Sequence, residues 1–237
     1  MVQEIKAKYP NVDDATPLRV SVHQVDVASA EQIQGMFEQI DHEHGQRPDI
    51  LLSNAGYGKR VPQVWDITLE EFDYTINVNL RASFILVKGV VEHMKQQRWG
   101  RIVFMSSIAA YGGGINGCRT FFFFIFFFLS FFLSLTHSLP GSGANRIDYA
   151  ASKAGMTGMM KNLSTRLAEY NISVNDVAPA LIGETGMIPN VDIAPEVTKN
   201  IPLGRLGTTD ETANVVDMLV TTGYMTGQSL LLAGGLK

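Results

Sequence analysis

Helix-start signals and short apolar runs alternate along this chain, and that alternation restricts it to very few architectures. Ser29 with Gln32, Thr68 with Glu71 and Thr208 with Glu211 all have the capping-box form. After the first, Ile33, Met36, Phe37 and Ile40 recur at i, i+3, i+4 and i+7, the period of a helix with one buried face. The stretch after Thr68 is expected to stay helical to about Arg98 and to end at Gly100. After Thr208, Val215, Val216 and Leu219 make one apolar face. Between these helices lie Arg19–Val27, Ile50–Ser53, Arg101–Ser106, Ile172–Val177 and Ser229–Leu232, short runs that read as strands. Strands alternating with helices make βαβ units, so the expected fold is α/β with a doubly wound, mostly parallel sheet. No repeat or linker divides residues 1–237, which are expected to form one domain.

Composition narrows the function. The net charge is −4, and no Lys/Arg-rich run exists that could track a phosphate backbone, so a nucleic-acid partner is not expected. The single cysteine, Cys118, rules out an internal disulfide and a cysteine-based zinc site and suits a reducing compartment. MVQEIKAKYP lacks the basic-then-apolar order of a secretory signal, so a soluble, cytoplasmic setting is expected. His23, His42, His44, His93 and His137 lack metal-ligand spacing, and His42 and His44 are expected on a solvated helix end.

In a sheet of this kind the chemistry gathers at the carboxyl ends of the strands. Those ends read Asp26-Val27, Ser53-Asn54-Ala55-Gly56, Ser106-Ser107 and Asn175-Asp176-Val177-Ala178-Pro179. Turn chemistry alone also favours Asn, Gly and Ser there. Recurrence at four strand ends points to a ligand. The sharpest signal is Tyr149-Ala-Ala-Ser-Lys153, which places a phenol and an ammonium on one helix face. To act near neutral pH a tyrosine needs roughly 4 kcal/mol in favour of its phenolate. An ammonium ~4 Å away supplies about that much at an effective dielectric of ~20. The same spacing also describes an ordinary exposed pair.

Asn54-Ala55-Gly56 after a strand, Asn79 in INVNL, Ser107 in GRIVFMSS, Tyr149 and Lys153 in YAASKAG, and Asn175 to Pro179 in SVNDVAP occur in that order. This constellation resembles the short-chain dehydrogenase/reductase family from about Arg19 to the last residue. IPLGRLGTTDETANVVDML and TGQSLLLAGG are most similar to its 3-oxoacyl-carrier-protein reductase-like branch. The resemblance implies a Rossmann-like fold and hydride transfer between NADP or NAD, with NADP favoured, and a small carbonyl or secondary alcohol. It makes Tyr149 the general acid, Ser107 the donor to the developing alkoxide, and Lys153 the group that holds the nicotinamide ribose and lowers the phenol's pKa. Asn79 would anchor a water linking Lys153 to solvent; the alternative is a helix-interior Asn bonded to nearby backbone. Asp26 and Val27 match the adenine contacts, and Asn54, Ala55 and Gly56 the ribose-side turn. Pro179, Ile182 and Thr185 match the carboxamide side, although Ala180 replaces a usual Gly and Thr185 stands one place late. Relatives also imply a homodimer or homotetramer through the helices after Thr68 and near Tyr149. A sugar, polyol or steroid alcohol as substrate, or an inactive family member, are the alternative readings.

Two departures accompany the resemblance. The family opens with a strand, a T-G-x-x-x-G-x-G turn, a helix and a second strand, none of which is found before Arg19. The expectation is a Rossmann-like domain lacking its first two strands, which as written binds dinucleotide poorly. Gly112-Gly113-Gly114 and Gly117 read as a flexible loop and do not replace the missing turn. The other departure is an atypical insertion, residues 119–148. Nine of the 13 phenylalanines fall between Phe121 and Phe132, and 42 positions separate Ser107 from Tyr149 where the family has about a dozen. Phe121 to Leu135 would span ~22 Å as a helix, short of the ~30 Å hydrocarbon core, so no membrane partner is expected unless the block acts as an anchor. A retained pyrimidine-rich intron explains it better. GT in an Arg119 codon and AG across Ile147-Asp148 would bound it, and splicing would leave one His and a gap of 13. Mature mRNA lacking those codons is the expected observation.

Overall fold

Four parallel strands, β1 (Ile50–Ser53), β2 (Gly100–Met105), β3 (Ile172–Pro179) and β4 (Ser229–Leu232), lie side by side in that order. The structure is a computed structural model and describes residues 2–10, 20–59, 61, 63–113, 147–188 and 198–236. Its helices are α1 (Val2–Lys8), α2 (Ala30–His44), α3 (Leu69–Ile76), α4 (Ala82–Gln97), α5 (Ala109–Gly112), α6 (Ile147–Leu167) and α7 (Thr209–Thr221). The Phe-rich block lies outside the described residues, as do Gly114 and Gly117. Gly112 closes α5 and Gly113 caps it at φ 67°.

Alternation along β2 shows why the sheet is covered twice. Ile102 and Phe104 pack with Ile33 and Phe37 of α2, Val90 and Met94 of α4, and Met156 and Met160 of α6. Val103 and Met105 face the other way, where they pack with Val177 of β3 and Leu219 of α7. A strand buried on both faces must be apolar throughout, which is how GRIVFM reads. The two close-packed helices of the first layer meet at Gly89, where a Cβ would stand 2.1 Å from the Phe37 ring. Gly89→Ala is therefore expected to cost about 1–3 kcal/mol by overpacking, measurable as a lower denaturant midpoint.

All three predicted caps form. Ser29, Thr68 and Thr208 accept from the backbone N–H of Gln32, Glu71 and Glu211. Only Thr208 and Glu211 complete the reciprocal box. Gln32 instead accepts from the Asp26 N–H at 2.9 Å, tying the preceding segment to α2.

Three expectations need correction. The expected strand Arg19–Val27 is not found over its described part, since Val20–Asp26 belongs to no ladder, and Arg19 lies outside the described residues. Its side chains still alternate in exposure, and Val25 and Val27 pack on the core, so the period of two is real. What the segment lacks is a neighbour. Among the described strands β1 forms the sheet edge and pairs with β2 alone. The long helix after Thr68 is likewise interrupted, by a π-helical turn at Asn77–Arg81. It ends at Arg98, in the left-handed conformation at φ 56°, while Gly100 opens β2. Finally, His44 is not merely solvated: its Nε2 lies 2.7 Å from Ser21 Oγ, which also meets His23 Nε2 at 2.8 Å.

Candidate active site

The first turns of α6 carry Tyr149 and Lys153 across the carboxyl ends of β1 and β2. Lys153 is buried, and its ammonium donates to the Met105 carbonyl at 2.6 Å. Its Nζ lies 5.7 Å from the centroid of the Tyr149 ring. Ser107 lies two residues past the end of β2. Its Oγ accepts from the Ala109 N–H at 3.2 Å, which leaves its own hydrogen for the Tyr149 oxygen to which it is bonded. The three side chains expected to act together are thus adjacent.

Burial sets the protonation of the pair. It pulls Lys153 down to about 8, opposed by the nearby Asp176 carboxyl. Burial pushes the Tyr149 phenol up, and the Ser107 bond opposes it. The Lys153 ammonium itself donates to the Met105 carbonyl. A phenol that keeps its proton is set to donate one.

Asn79 sits in the π-helical turn, fully buried. Its Oδ1 accepts from the Tyr57 N–H at 2.7 Å, and its Nδ2 donates to the Tyr57 carbonyl at 2.9 Å and to Ser152 Oγ at 3.0 Å. Ser152 in turn donates to the Tyr149 carbonyl at 2.7 Å. Both amide hydrogens are therefore spent on protein atoms. The backbone that its side chain bonds lies 22 residues away, not in the neighbouring turns of its own helix. It fastens the loop after β1 to the start of α6.

That loop is where a cofactor would approach. Asn54, Ala55 and Gly56 are exposed at the end of β1. A Cβ on Gly56 would fill the space 3.6 Å from Lys153 Nζ and 3.8 Å from Asn79 Oδ1. The glycine thus runs within contact distance of the buried Lys153 ammonium, and this loop and Lys153 are the residues that would hold the ribose beside the nicotinamide of a dinucleotide. Pro179 ends β3, and Ile182 bridges to Gly207 beyond it. Thr185 turns inward on its own loop, donating to the Ile182 carbonyl at 3.1 Å and accepting from the Ile188 N–H at 3.1 Å. Asp26 is exposed and Val27 half-buried, at the end of the unladdered segment. Among the described residues no group of three or more His, Cys, Asp or Glu side chains could hold a metal. No helix among them is long and apolar enough to cross a membrane.

Sequence reasoning gave Ser106 and Asp176 no role beyond marking strand ends and passed over Ser152 and Thr157. Ser and Thr in helices carry little signal. Asp176 did carry one, because a carboxylate inside a buried strand needs a partner.

A parallel sheet wound on both faces, with a phenol and an ammonium one turn apart at its strand ends, defines a nicotinamide-dependent oxidoreductase of the Rossmann-like class. The chain belongs to the short-chain dehydrogenase/reductase family. Residues 2–119 match the short chain dehydrogenase family, and residues 132–237 match the family described as enoyl-(acyl carrier protein) reductase. The 3-oxoacyl-[acyl-carrier-protein] reductase of Thermotoga maritima is 34% identical over 94% of this chain and 79% of its own length. The reductase of the same name from Aquifex aeolicus is 30% identical over 98% of this chain and 83% of its own. The (2S)-[(R)-hydroxy(phenyl)methyl]succinyl-CoA dehydrogenase subunit of Thauera aromatica is 31% identical over 89% and 73%.

Proposed function

We propose that this oxidoreductase reduces a 3-oxoacyl thioester with NADPH, using Tyr149 as the proton donor. The observation that carries the reading is the triplet in which the buried Ser107 and Lys153 flank a half-buried phenol that retains its proton. The nicotinamide, when bound, supplies the hydride. Tyr149 gives its proton to the carbonyl oxygen as charge develops there, and Ser107 lends a hydrogen bond to the same oxygen. Lys153 holds the ribose hydroxyls and keeps a positive charge beside the phenolate left behind. Asn54, Ala55, Gly56, Pro179 and Ile182 would line the cofactor, Asp26 and Val27 its adenine end, and Thr185 the carboxamide once its turn opens. Two of the relatives named above carry 3-oxoacyl reduction in their names, which supports the choice of substrate.

Incubating the full chain with acetoacetyl-coenzyme A and NADPH tests this. The expected result is consumption of NADPH, faster than with NADH. Faster oxidation of a polyol or sterol, with no thioester reduction, would overturn the substrate. A pH series gives a second check. Lysine loses its charge as pH rises, so kcat/KM for reduction should fall above about 8, where Lys153 deprotonates. The raised phenol stays protonated across that range and contributes no limb there. The exposed apolar side chains Leu69, Phe72 and Phe84 of α3 and α4, with Trp65 just ahead of α3, support self-association as part of the same reading. A monomer by light scattering would remove that part.

A further inference from the structure

The loop after β1 runs past both groups that α6 carries into the site. Gly56 lies against the Lys153 ammonium, and Gly58, two residues on, lies against the Tyr149 ring. A Cβ on Gly58 would stand 3.2 Å from Tyr149 Cδ2, 3.5 Å from its Cε2 and 3.6 Å from the Met187 methyl. No left-handed turn demands a glycine there, because Gly58 has no positive φ. What the missing side chain provides is a gap, one carbon wide, beside the phenol.

Both walls of that gap are held. Asn79 bonds the N–H and carbonyl of Tyr57, the Tyr57 ring meets Tyr74 edge-on at 4.9 Å, and Lys59 pairs with Glu71 at 2.6 Å. Gly58 is thus fixed through both of its neighbours. Across the gap, Met187 sits at the tip of a tight turn closed by reciprocal backbone bonds between Thr185 and Ile188, both 3.1 Å. Its side chain is half exposed, so the methyl that reaches toward Gly58 has solvent to swing into.

The lining selects a chemistry. All three atoms that a carbon in the gap would meet are carbons, so a hydroxyl placed there leaves water and finds no partner. A fused ring system is wider than the gap. An unbranched alkyl chain is one carbon wide, and the unbranched thioether of Met187 adapts to it. We propose that Gly58 and Met187 are specificity-determining residues that receive the alkyl chain of an unbranched 3-oxoacyl group longer than acetoacetyl. The proposal deepens the reading of Tyr149 and its substrate given above and rests on it.

The test compares 3-oxooctanoyl-coenzyme A with acetoacetyl-coenzyme A on the full chain with NADPH. Wild type should favour the longer chain by about tenfold or more in kcat/KM, since a single methylene in an apolar site is commonly worth that much. Gly58→Ala fills the gap and should lower this ratio by about tenfold. A uniform slowing of both substrates, which mere displacement of Tyr149 would give, overturns the proposal. Met187→Leu should keep most of the ratio, whereas Met187→Gln, of similar length but polar, should lose it; equal behaviour of the two overturns the apolar wall. Ethyl 3-oxooctanoate and ethyl acetoacetate carry the same chains without the thioester. If the esters show the ratio while thioesters are refused, the proposed substrate fails and the wall stands. If thioesters of both lengths are reduced alike, the wall fails and the substrate stands. A readout without turnover uses isotope-labelled methionine methyl groups. With NADP⁺ present, 3-oxooctanoyl-coenzyme A should shift the Met187 methyl resonance, assigned by its loss in Met187→Ala, and acetoacetyl-coenzyme A should shift it less. An unmoved resonance overturns the proposal even where turnover is slow.

Discussion

Replacing Tyr149 by Phe is expected to lower kcat/KM for ketone reduction by about 10²–10⁴-fold while leaving the melting temperature nearly unchanged. The size follows from what the hydroxyl does. A proton supplied within the transition state is commonly worth that range, and no other acid among the described groups is bonded to Ser107 at this place. The small structural cost follows from geometry. The phenol is half-buried at the site mouth, and its removal deprives only the Ser107 hydroxyl of a partner. Paired steady-state kinetics and thermal melts on the two chains check both halves. An unchanged rate would remove Tyr149 from the chemistry, and with it the proposed mechanism.

Asn79→Ala should damage stability and rate together. The deletion strips the Tyr57 N–H and carbonyl and the Ser152 hydroxyl of their partner in a fully buried spot. Unsatisfied buried groups cost about 1–3 kcal/mol each. Water entering the vacated space would recover part of that, so a net loss of about 3 kcal/mol is expected from chemical denaturation. The loop holding Gly56 would no longer be fastened to α6, and displacements of about 1 Å at a reacting centre cost on the order of 10²-fold. An Asn79→Ala chain of normal stability and normal kcat/KM would show that the clamp is dispensable.

The sequence announced what depends on local chemistry. Caps at Ser29, Thr68 and Thr208, strands β1 and β4 to the residue, and the shared face of Tyr149 and Lys153 all follow from side-chain periods and hydrogen bonds within a few positions. What it hid is tertiary. A period of two over Ser21–Val27 says which side chains turn inward, but a ladder also requires a neighbour, which no local pattern supplies. The direction of the Lys153 ammonium was hidden for the same reason, because its partner Met105 lies 48 residues away.

The widened turn at Asn77–Arg81 gives two halves of one rod separate rotational phases. Ahead of it, α3 lies against α6; behind it, α4 lies against β1, β2 and α2. A uniform helix would have to satisfy both sets of neighbours with a single orientation, whereas the extra residue lets each half turn to its own. Deleting one residue from this turn would lock the halves together, swing the front half by about 100° and carry Asn79 away from Tyr57, severing the mechanical link between the scaffold and the chemistry.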